Sequence, residues 1–135
     1  MKGPAPDRFR EPSADLGSAL ALSLSRDELV AAAMEALVHR LPLLAQFDEE
    51  KLARTREDYG FIVSFAAAAI LTGDERLFVE FLGWLDGLLC ARGLPPGTLA
   101  VSLDALADAP CPPSLLGLLE ESRAGSALSA ARENT

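Results

Sequence analysis

The sequence predicts an all-α fold, a compact single-domain bundle of five to six helices. Apolar residues recur along the chain at steps of three and four, which is the periodicity of amphipathic helices. Half of the 135 residues are hydrophobic, and Leu and Ala, both strong helix formers, dominate that half. β-Branched residues are scarce and few stretches alternate with period two, so strands are poorly supported.

Composition changes mark the ends of the predicted domain. Residues 1–12 hold three prolines and mixed charge, which is typical of a flexible tail. Residues 125–135 are small and polar, and we expect a second flexible tail there. The helical domain is therefore predicted over residues 13–124. Its first stretch, residues 13–24, has weak helical character because Gly17 and three serines lie within it.

Capping residues indicate where the first helices begin. Ser25 and Glu28 have the spacing of a capping box, which predicts a helix that starts at Ser25. Pro42 ends this helix or opens a short turn. Asp48 is the next N-cap candidate, for a long helix that runs to about Thr72. The second half of that helix is apolar nearly all round, so we expect it to be central and covered on several sides.

The remaining helices follow from similar signals. Gly73 suits the C′ position that closes the long helix, and Asp74 is expected to cap the next helix, which runs to about Arg92. Shorter helices are predicted over residues 98–109 and after Ser114, which we expect to be an N-cap. The bundle is expected to be centred on the two long helices.

The helix from Asp74 to Arg92 has two different sides. Gly83, Gly87 and Cys90 line the side opposite a broad apolar arc. A glycine inside a helix costs about 1 kcal/mol relative to alanine, which suggests a close approach over this strip. We interpret the strip as a notch for a neighbouring helix of the same chain; a homodimer seam or a slot for an apolar ligand are the alternatives. The apolar arc comprises Leu77, Phe78, Phe81, Leu82, Trp84, Leu85, Leu88 and Leu89.

Tyr59 is a second candidate position, because it follows Glu57 and Asp58 just before the most apolar segment. We expect its ring in the core with the hydroxyl at the rim, and the mouth of a pocket is the alternative. The candidate interface or pocket residues are therefore Tyr59, Gly83, Trp84, Gly87 and Cys90.

The residues do not predict catalysis. His39 is the only histidine, and near a helix end it is more often a cap or a surface group than a catalytic base. The acidic pairs are adjacent in sequence, so their side chains diverge by about 100° on a helix. The glycines are dispersed instead of forming a phosphate-binding loop. We therefore expect a protein that is not an enzyme, with no catalytic residue, metal or cofactor.

The formal net charge of −8 narrows the classes of partner. Nucleic-acid binding needs clustered Lys and Arg, and none cluster here, so we expect no nucleic-acid partner. An anionic membrane surface would repel the chain, so we expect no membrane partner either. The spacing of Cys90 and Cys111 matches no metal or redox motif, so we expect both thiols to be free. The N-terminus has no apolar export signal, so we expect a cytoplasmic protein. The acidity serves solubility, and a basic protein partner is the alternative interpretation.

Four motifs between residues 42 and 107 follow one another in a recognisable order. They are Arg56-Glu57-Asp58-Tyr59, the run from Thr72 to Phe78, Phe81-Leu82-x-Trp84-Leu85, and Leu88-Leu89-x-x-Arg92-Gly93-Leu94-Pro95. This order resembles the small helical regulatory domains of bacterial signalling proteins. Those domains are similar to the N-terminal domains of stressosome-type regulators and to helical segments beside cobalamin-binding or kinase modules.

The resemblance implies a globin-like or bundle-like domain used for sensing or protein contact, commonly as a dimer. It does not imply an enzyme. Gly60-Phe61-Ile62 stands where a histidine is expected after the Glu-Asp pair, so no role of that imidazole is carried over. We therefore predict a stand-alone regulatory or sensory domain that acts through protein–protein association, with a protein partner and a homodimer expected. The alternative is a binder of an apolar small molecule, lipid-like or tetrapyrrole, in a cavity between helices that the apolar arc and the Phe61/Phe65 region would line.

Overall fold

The computed structural model describes residues 16–125, and this part of the chain is built from helices joined by short connections. The predicted all-α bundle of five to six helices is confirmed. The tails predicted at residues 1–12 and 125–135 lie outside the described residues, apart from Gly125. The elements are α1 (16–24), α2 (Arg26–Arg40), a 3-10 helix (Pro42–Gln46), α3 (Glu49–Thr72), α4 (Glu75–Ala91), α5 (Thr98–Asp108) and α6 (Pro113–Gly125).

α3 and α4 form a helical hairpin whose ends are set by local capping chemistry. The carboxylate of Asp48 accepts a hydrogen bond from the Lys51 amide at 2.9 Å and caps α3. Gly73 closes α3 with a φ of 70°, a left-handed conformation that glycine adopts without strain. Asp74 then caps α4 by accepting a hydrogen bond from the Arg76 amide at 3.1 Å. These three predicted caps are confirmed, and the tight turn lays α3 and α4 side by side.

Two other predicted caps are wrong. The Ser25 side chain makes no cap and instead donates to the carbonyl of Ala21 at 3.0 Å. Residues 16–24 are already helical, so a preceding turn competes for the serine hydroxyl. Ser114 lies inside α6, which begins at Pro113 because proline has a suitable φ and needs no amide partner in the first turn.

The core lies where two packed helix pairs meet. α3 packs along α4, and α2 packs along α5 at least as extensively. The bundle is therefore not centred on the two long helices alone, as the sequence predicted, because α2 and α5 supply a second pair of apolar sides. The largest fully buried side chains are Leu22, Leu29, Leu37, Tyr59, Ile62, Phe78, Leu82, Leu85, Leu99, Leu103, Leu106 and Leu115.

The apolar second half of α3 is buried on only part of its circumference. Ile62, Val63 and Ala66 are buried, whereas Phe61 and Phe65 are exposed. Contacts from α2, α4 and α6 cover the other sides of α3. The segment is therefore covered on several sides, as expected, but its outer side is left open, because the described chain supplies no further helix there. This uncovered side brings large apolar side chains to the surface.

Candidate functional site

An exposed aromatic face runs along the α3–α4 hairpin. Phe61 and Phe65 lie one turn apart on α3, and their side chains are 49% and 39% exposed. Leu77 and Trp84 lie on α4 and are 37% and 61% exposed. Along α4, Phe81 lies between Leu77 and Trp84, at the margin of the core. These five residues are called the aromatic face below.

Ring contacts connect the two helices across the aromatic face. Phe65 on α3 stacks on Phe81 of α4 with 4.2 Å between ring centroids and 6° between ring planes. Phe81 also contacts Trp84, with 5.9 Å between centroids and planes tilted by 34°. Because these rings are held on two packed helices, they lose little conformational freedom when a partner covers them. The face is therefore preorganised for contact.

The aromatic face concentrates a large share of the aromatic content of the chain. Four of the eight aromatic residues lie on it. An isolated exposed apolar side chain needs no explanation, but a contiguous patch indicates an interaction site. An aromatic side chain has a surface of about 150–250 Å². Multiplied by the exposed fractions of the side chains of the face, this gives an exposed apolar area of roughly 300–400 Å². That area lies in the range of patches that are often functional in monomeric proteins.

A partly buried ion pair closes one end of the aromatic face. Arg92, just beyond α4, donates from Nη1 to Oδ2 of Asp58 on α3 at 3.1 Å. Burial raises the pKa of Asp58, Arg92 opposes that rise, and Glu57 adds to it. The side chain of Asp58 is only 15% exposed. The pair therefore fixes the position of α3 against α4 about one turn away from Phe61.

Tyr59 is a core residue that links α3 to α5. Its ring is buried, as expected, and its hydroxyl is buried as well instead of lying at the rim. The hydroxyl donates a hydrogen bond of 2.7 Å to the backbone carbonyl of Ser102. Burial raises the pKa of Tyr59, so the phenol stays protonated and remains a donor. Tyr59 therefore supports the aromatic face from behind and is not part of it.

A narrow crevice lies beside Tyr59. Its cavity volume is about 30 Å³, which gives room for about one or two water molecules. A wider open groove of about 490 Å³ lies outside it, and Asp58 and Leu89 line both. Small-molecule pockets usually enclose about 300–1,000 Å³. The enclosed part of this crevice is therefore too small for a lipid-like or tetrapyrrole ligand unless side chains move.

The glycine strip of α4 lies beside Trp84 and is partly open. Apart from its chain neighbours and the nearby backbone of α4, a Cβ atom built on Gly87 would meet no atom within 4 Å. Gly83 is half-buried, and Cys90 is an exposed free thiol. The expected notch for a neighbouring helix is therefore wrong at Gly87, because in the described part of the chain no helix approaches it. The homodimer seam and the ligand slot stay open as alternatives.

The structure brings together residues that the sequence analysis did not place on one exposed surface. Only Trp84 of the five candidate residues lies on the aromatic face. Phe61 and Phe65 were considered only as lining of a cavity for an apolar ligand, because an apolar segment was taken to be a covered segment. The signal that could have found them is the i, i+4 spacing of two large aromatics on a helix that already has a complete buried side elsewhere.

Other kinds of site find no support among the described residues. His39 is exposed at the end of α2. Residues 16–125 contain no cluster of three or more His, Cys, Asp or Glu side chains suited to holding a metal ion. Within the same range, none of the helices combines the length and the apolarity needed to cross a membrane. The sequence matches no protein-family model, and it matches no characterised protein.

Proposed function

We propose that the protein is a regulatory binding module that associates with another protein through the aromatic face. The observation that carries the proposal is the exposure of large apolar side chains on the α3–α4 hairpin, connected through the Phe65–Phe81–Trp84 ring contacts, with Trp84 the most exposed of them at 61%. Burying roughly 300–400 Å² of apolar surface would supply roughly 7–10 kcal/mol before the costs of association are subtracted. Tryptophan is also the residue most enriched among the energetic centres of interfaces.

The occupant that fits the aromatic face is an amphipathic helix of the partner. Two packed helices form ridges of side chains with a groove between them, and a third helix can lie along that groove. Phe61 and Phe65 form a ridge on α3, and Leu77 and Trp84 form a ridge on α4. A helix with apolar residues at i, i+4 and i+7 would contact both ridges at once.

A second copy of the chain is a less favourable occupant. A standard interface buries about 800 Å² on each partner, which is about twice the exposed area of the aromatic face. Each copy also carries a formal charge of −8, so two copies repel one another. The homodimer stays a prediction.

An apolar small molecule in an interhelical cavity is the alternative function. The crevice beside Tyr59 lies between helices, as such a site requires. Its volume of about 30 Å³ is, however, too small for such a ligand. A lipid-like ligand would have to separate α3 from α5, where the Tyr59 hydrogen bond holds them together. The sensory role and the globin-like character inferred from the resemblance are likewise proposals, and they do not change which surface we expect to bind.

Paired affinity purification with reconstitution tests the proposed function. The wild-type chain is compared with Phe61→Ser/Trp84→Ser and with the control Val38→Ser/Leu71→Ser, which removes exposed apolar side chains outside the aromatic face. We expect one protein to be recovered with the wild type and the control, to be lost with the face variant, and to form a complex with the wild type when both are purified. Equal recovery and equal affinity for both variants, or no specific recovery with the wild type, would contradict the proposal.

A further inference from the structure

We propose that the binding surface continues from the aromatic face onto α1, and that the partner covers it with two packed helices instead of one. This inference rests on the proposed function and adds the shape of the partner to it. It is carried by a second exposed apolar stripe, which consists of Leu16, Leu20 and Leu24 and is called the leucine stripe below. The stripe supplies the apolar area that the aromatic face alone lacks.

The leucine stripe lies on the outer side of α1. Its three side chains are 55%, 55% and 80% exposed in chain order, and their spacing of four residues places them on one side of the helix. Ala19 and Leu22 anchor another side of α1 in the core. A surface helix normally turns charged or polar residues outward. Three leucines in that place form an apolar patch of the kind that marks an interaction site.

α1 passes into α2 through a bend and not through a loop. Ser25 joins the two helices with a φ of −96° and a ψ of 9°, which is close to the helical region. Its amide donates to the Ala21 carbonyl at 3.2 Å, and its carbonyl accepts from the Leu29 amide at 2.9 Å. Helical hydrogen bonds thus continue on both sides of the bend, so the helical spacing of side chains is kept from α1 to α2.

This spacing turns the leucine stripe toward the aromatic face. Asp27 follows Leu20 by seven residues, and Ala31 follows Leu24 by seven residues. Seven residues are about two turns of an α-helix, so each pair lies on the same side. Asp27 and Ala31 line an open groove between α2 and α3, and Phe61 lines the same groove. The stripe therefore opens on the side of the bundle where Phe61 is exposed.

A hydrogen bond places the end of the leucine stripe beside α3. Arg26, two residues after Leu24, donates from Nη1 to the Ser64 hydroxyl at 3.1 Å. Around α3, the side chains of Ser64, Phe61 and Phe65 follow one another at steps of about 60° and 40°. Phe61 therefore lies between the side of α3 that contacts the start of α2 and the side that stacks on α4. The apolar ridges follow in the order α1, α3, α4.

Three ridges are too wide for a single helix. Neighbouring helices lie about 8–10 Å apart, so three ridges span roughly 16–20 Å. A helix with its side chains is about 10–12 Å across and covers two ridges at once. Two packed helices of the partner cover all three ridges, one along the groove between α4 and α3 and the other between α3 and α1.

The combined area agrees with a stable interface. The leucine stripe exposes the equivalent of about two whole leucine side chains, or roughly 200–300 Å² of apolar surface. A standard interface buries about 800 Å² on each partner, of which about 56–65%, or roughly 450–520 Å², is apolar. The aromatic face alone falls short of this area with roughly 300–400 Å². Together the two surfaces offer roughly 500–700 Å².

Photo-crosslinking at the two outer ridges tests the inference. In cells that produce the protein, a photoreactive phenylalanine analogue replaces Leu20 on α1 or Trp84 on α4. The control position is Val38 on α2, which is 57% exposed and thus matches Leu20. We expect both outer positions to form an adduct with the same protein, through two different helical segments of that protein, and the control to form none.

The affinity of the purified crosslinked protein gives a quantitative check. Leu20→Ser/Leu24→Ser should raise its Kd by about tenfold or more, because two leucines lose their apolar cover. Val38→Ser should change the Kd by less than about twofold. Circular dichroism should show both variants folded, because all the replaced side chains are exposed. Where the double variant is not folded, Leu20→Ser alone replaces it and should raise the Kd by about threefold or more.

The outcomes separate the inference from the proposed function. An adduct from Trp84 without one from Leu20, adducts of both with one segment of the partner, or an unchanged Kd for the leucine variant would overturn the inference alone. An adduct of Leu20 with a second copy, or with another segment of its own chain, would also overturn it. No adduct from either position would contradict the proposed function as well.

Discussion

The hydroxyl of Tyr59 on α3 donates a buried hydrogen bond of 2.7 Å to the backbone carbonyl of Ser102 on α5. The Ser102 hydroxyl in turn donates to the carbonyl of Thr98 at 2.9 Å, within α5. The Tyr59 bond ties the α3–α4 hairpin to the α2–α5 pair from the inside. The outer side of the hairpin is therefore free to present the aromatic face without losing its support.

Tyr59→Phe should lower the free energy of unfolding by about 1 kcal/mol, because a buried hydrogen bond is lost while the ring stays in place. Urea denaturation measures this change. Thr55→Val is the control, since the Thr55 hydroxyl bonds only to the Lys51 carbonyl of its own helix, and a change within about 0.5 kcal/mol is expected. A Tyr59→Phe effect no larger than that of the control would show that the link does not stabilise the fold.

Trp84→Ser should change the free energy of unfolding by less than about 0.5 kcal/mol, because most of the indole is already in water. Phe81→Ala, one turn away and almost buried, should lower it by about 3 kcal/mol. Thermal and urea unfolding of the two variants measure this contrast. A loss of more than about 2 kcal/mol for Trp84→Ser would make the indole a core residue and remove the basis for a binding role.

Two glycine substitutions should have opposite signs. Gly87→Ala should raise the free energy of unfolding by roughly 0.5–1 kcal/mol, because the helix gains alanine propensity and the new Cβ enters open space. Gly97→Ala should lower it, because the backbone there has a φ of 89°, which side chains rarely adopt. Chemical denaturation of both variants tests this pair. Destabilisation by Gly87→Ala would indicate that another segment or molecule packs on the strip.

A carboxylate pair makes the contact between α4 and α6 depend on pH. The pKa of Glu75 is raised by a hydrogen bond to Glu121 and by its like charge, so the folded state binds a proton more readily than the unfolded state. The resulting penalty is therefore present above the folded-state pKa and disappears as pH falls below the unfolded value.

Glu121→Gln should accordingly raise Tm at neutral pH and have little such effect at about pH 3, where Glu75 is protonated in both the folded and the unfolded state. Differential scanning calorimetry at the two pH values measures the change. The control Glu49→Gln removes an acid from the first turn of α3 and should slightly lower Tm at neutral pH. A gain that persists unchanged in acid would rule out like-charge repulsion as its cause.

The two thiols should react at very different rates. Cys90 is exposed, whereas Cys111 is half-buried and its Sγ donates to the carbonyl of Leu106 at 2.9 Å. Burial raises the pKa of Cys111 to about 11, which leaves little thiolate at neutral pH. Timed alkylation with iodoacetamide and peptide mapping should show Cys90 labelled more than about tenfold faster. Comparable rates would mean that the α5–α6 connection opens readily.

Local features of the fold could be predicted from the sequence because they depend on a few neighbouring residues. Asp48 and Asp74 begin their helices by accepting hydrogen bonds from backbone amides within one turn. Gly73 ends α3 through its left-handed backbone conformation. Ser25 was predicted incorrectly because its hydroxyl has a second local acceptor, which exists only if residues 16–24 are helical. The capping rules did not include that competing structure.

The aromatic face could not be predicted from periodicity. Periodicity shows which sides of α3 are apolar, but exposure of Phe61 and Phe65 depends on how many helices cover that segment, which is a property of the assembled bundle. The same limit applies to Trp84, a candidate interface or pocket residue: its place on the apolar arc of α4 does not by itself give its exposure, which is 61%. Tyr59 was placed correctly in the core because its ring belongs to the buried side of α3.

Site-specific photo-crosslinking in cells that produce the protein tests the central claim most directly. A photoreactive phenylalanine analogue is placed at Phe61 on the aromatic face or at Val38, an equally exposed apolar position on α2. We expect one discrete adduct with another protein from position 61 and none from position 38. No adduct from position 61, or the same adducts from both positions, would contradict a binding role for the aromatic face.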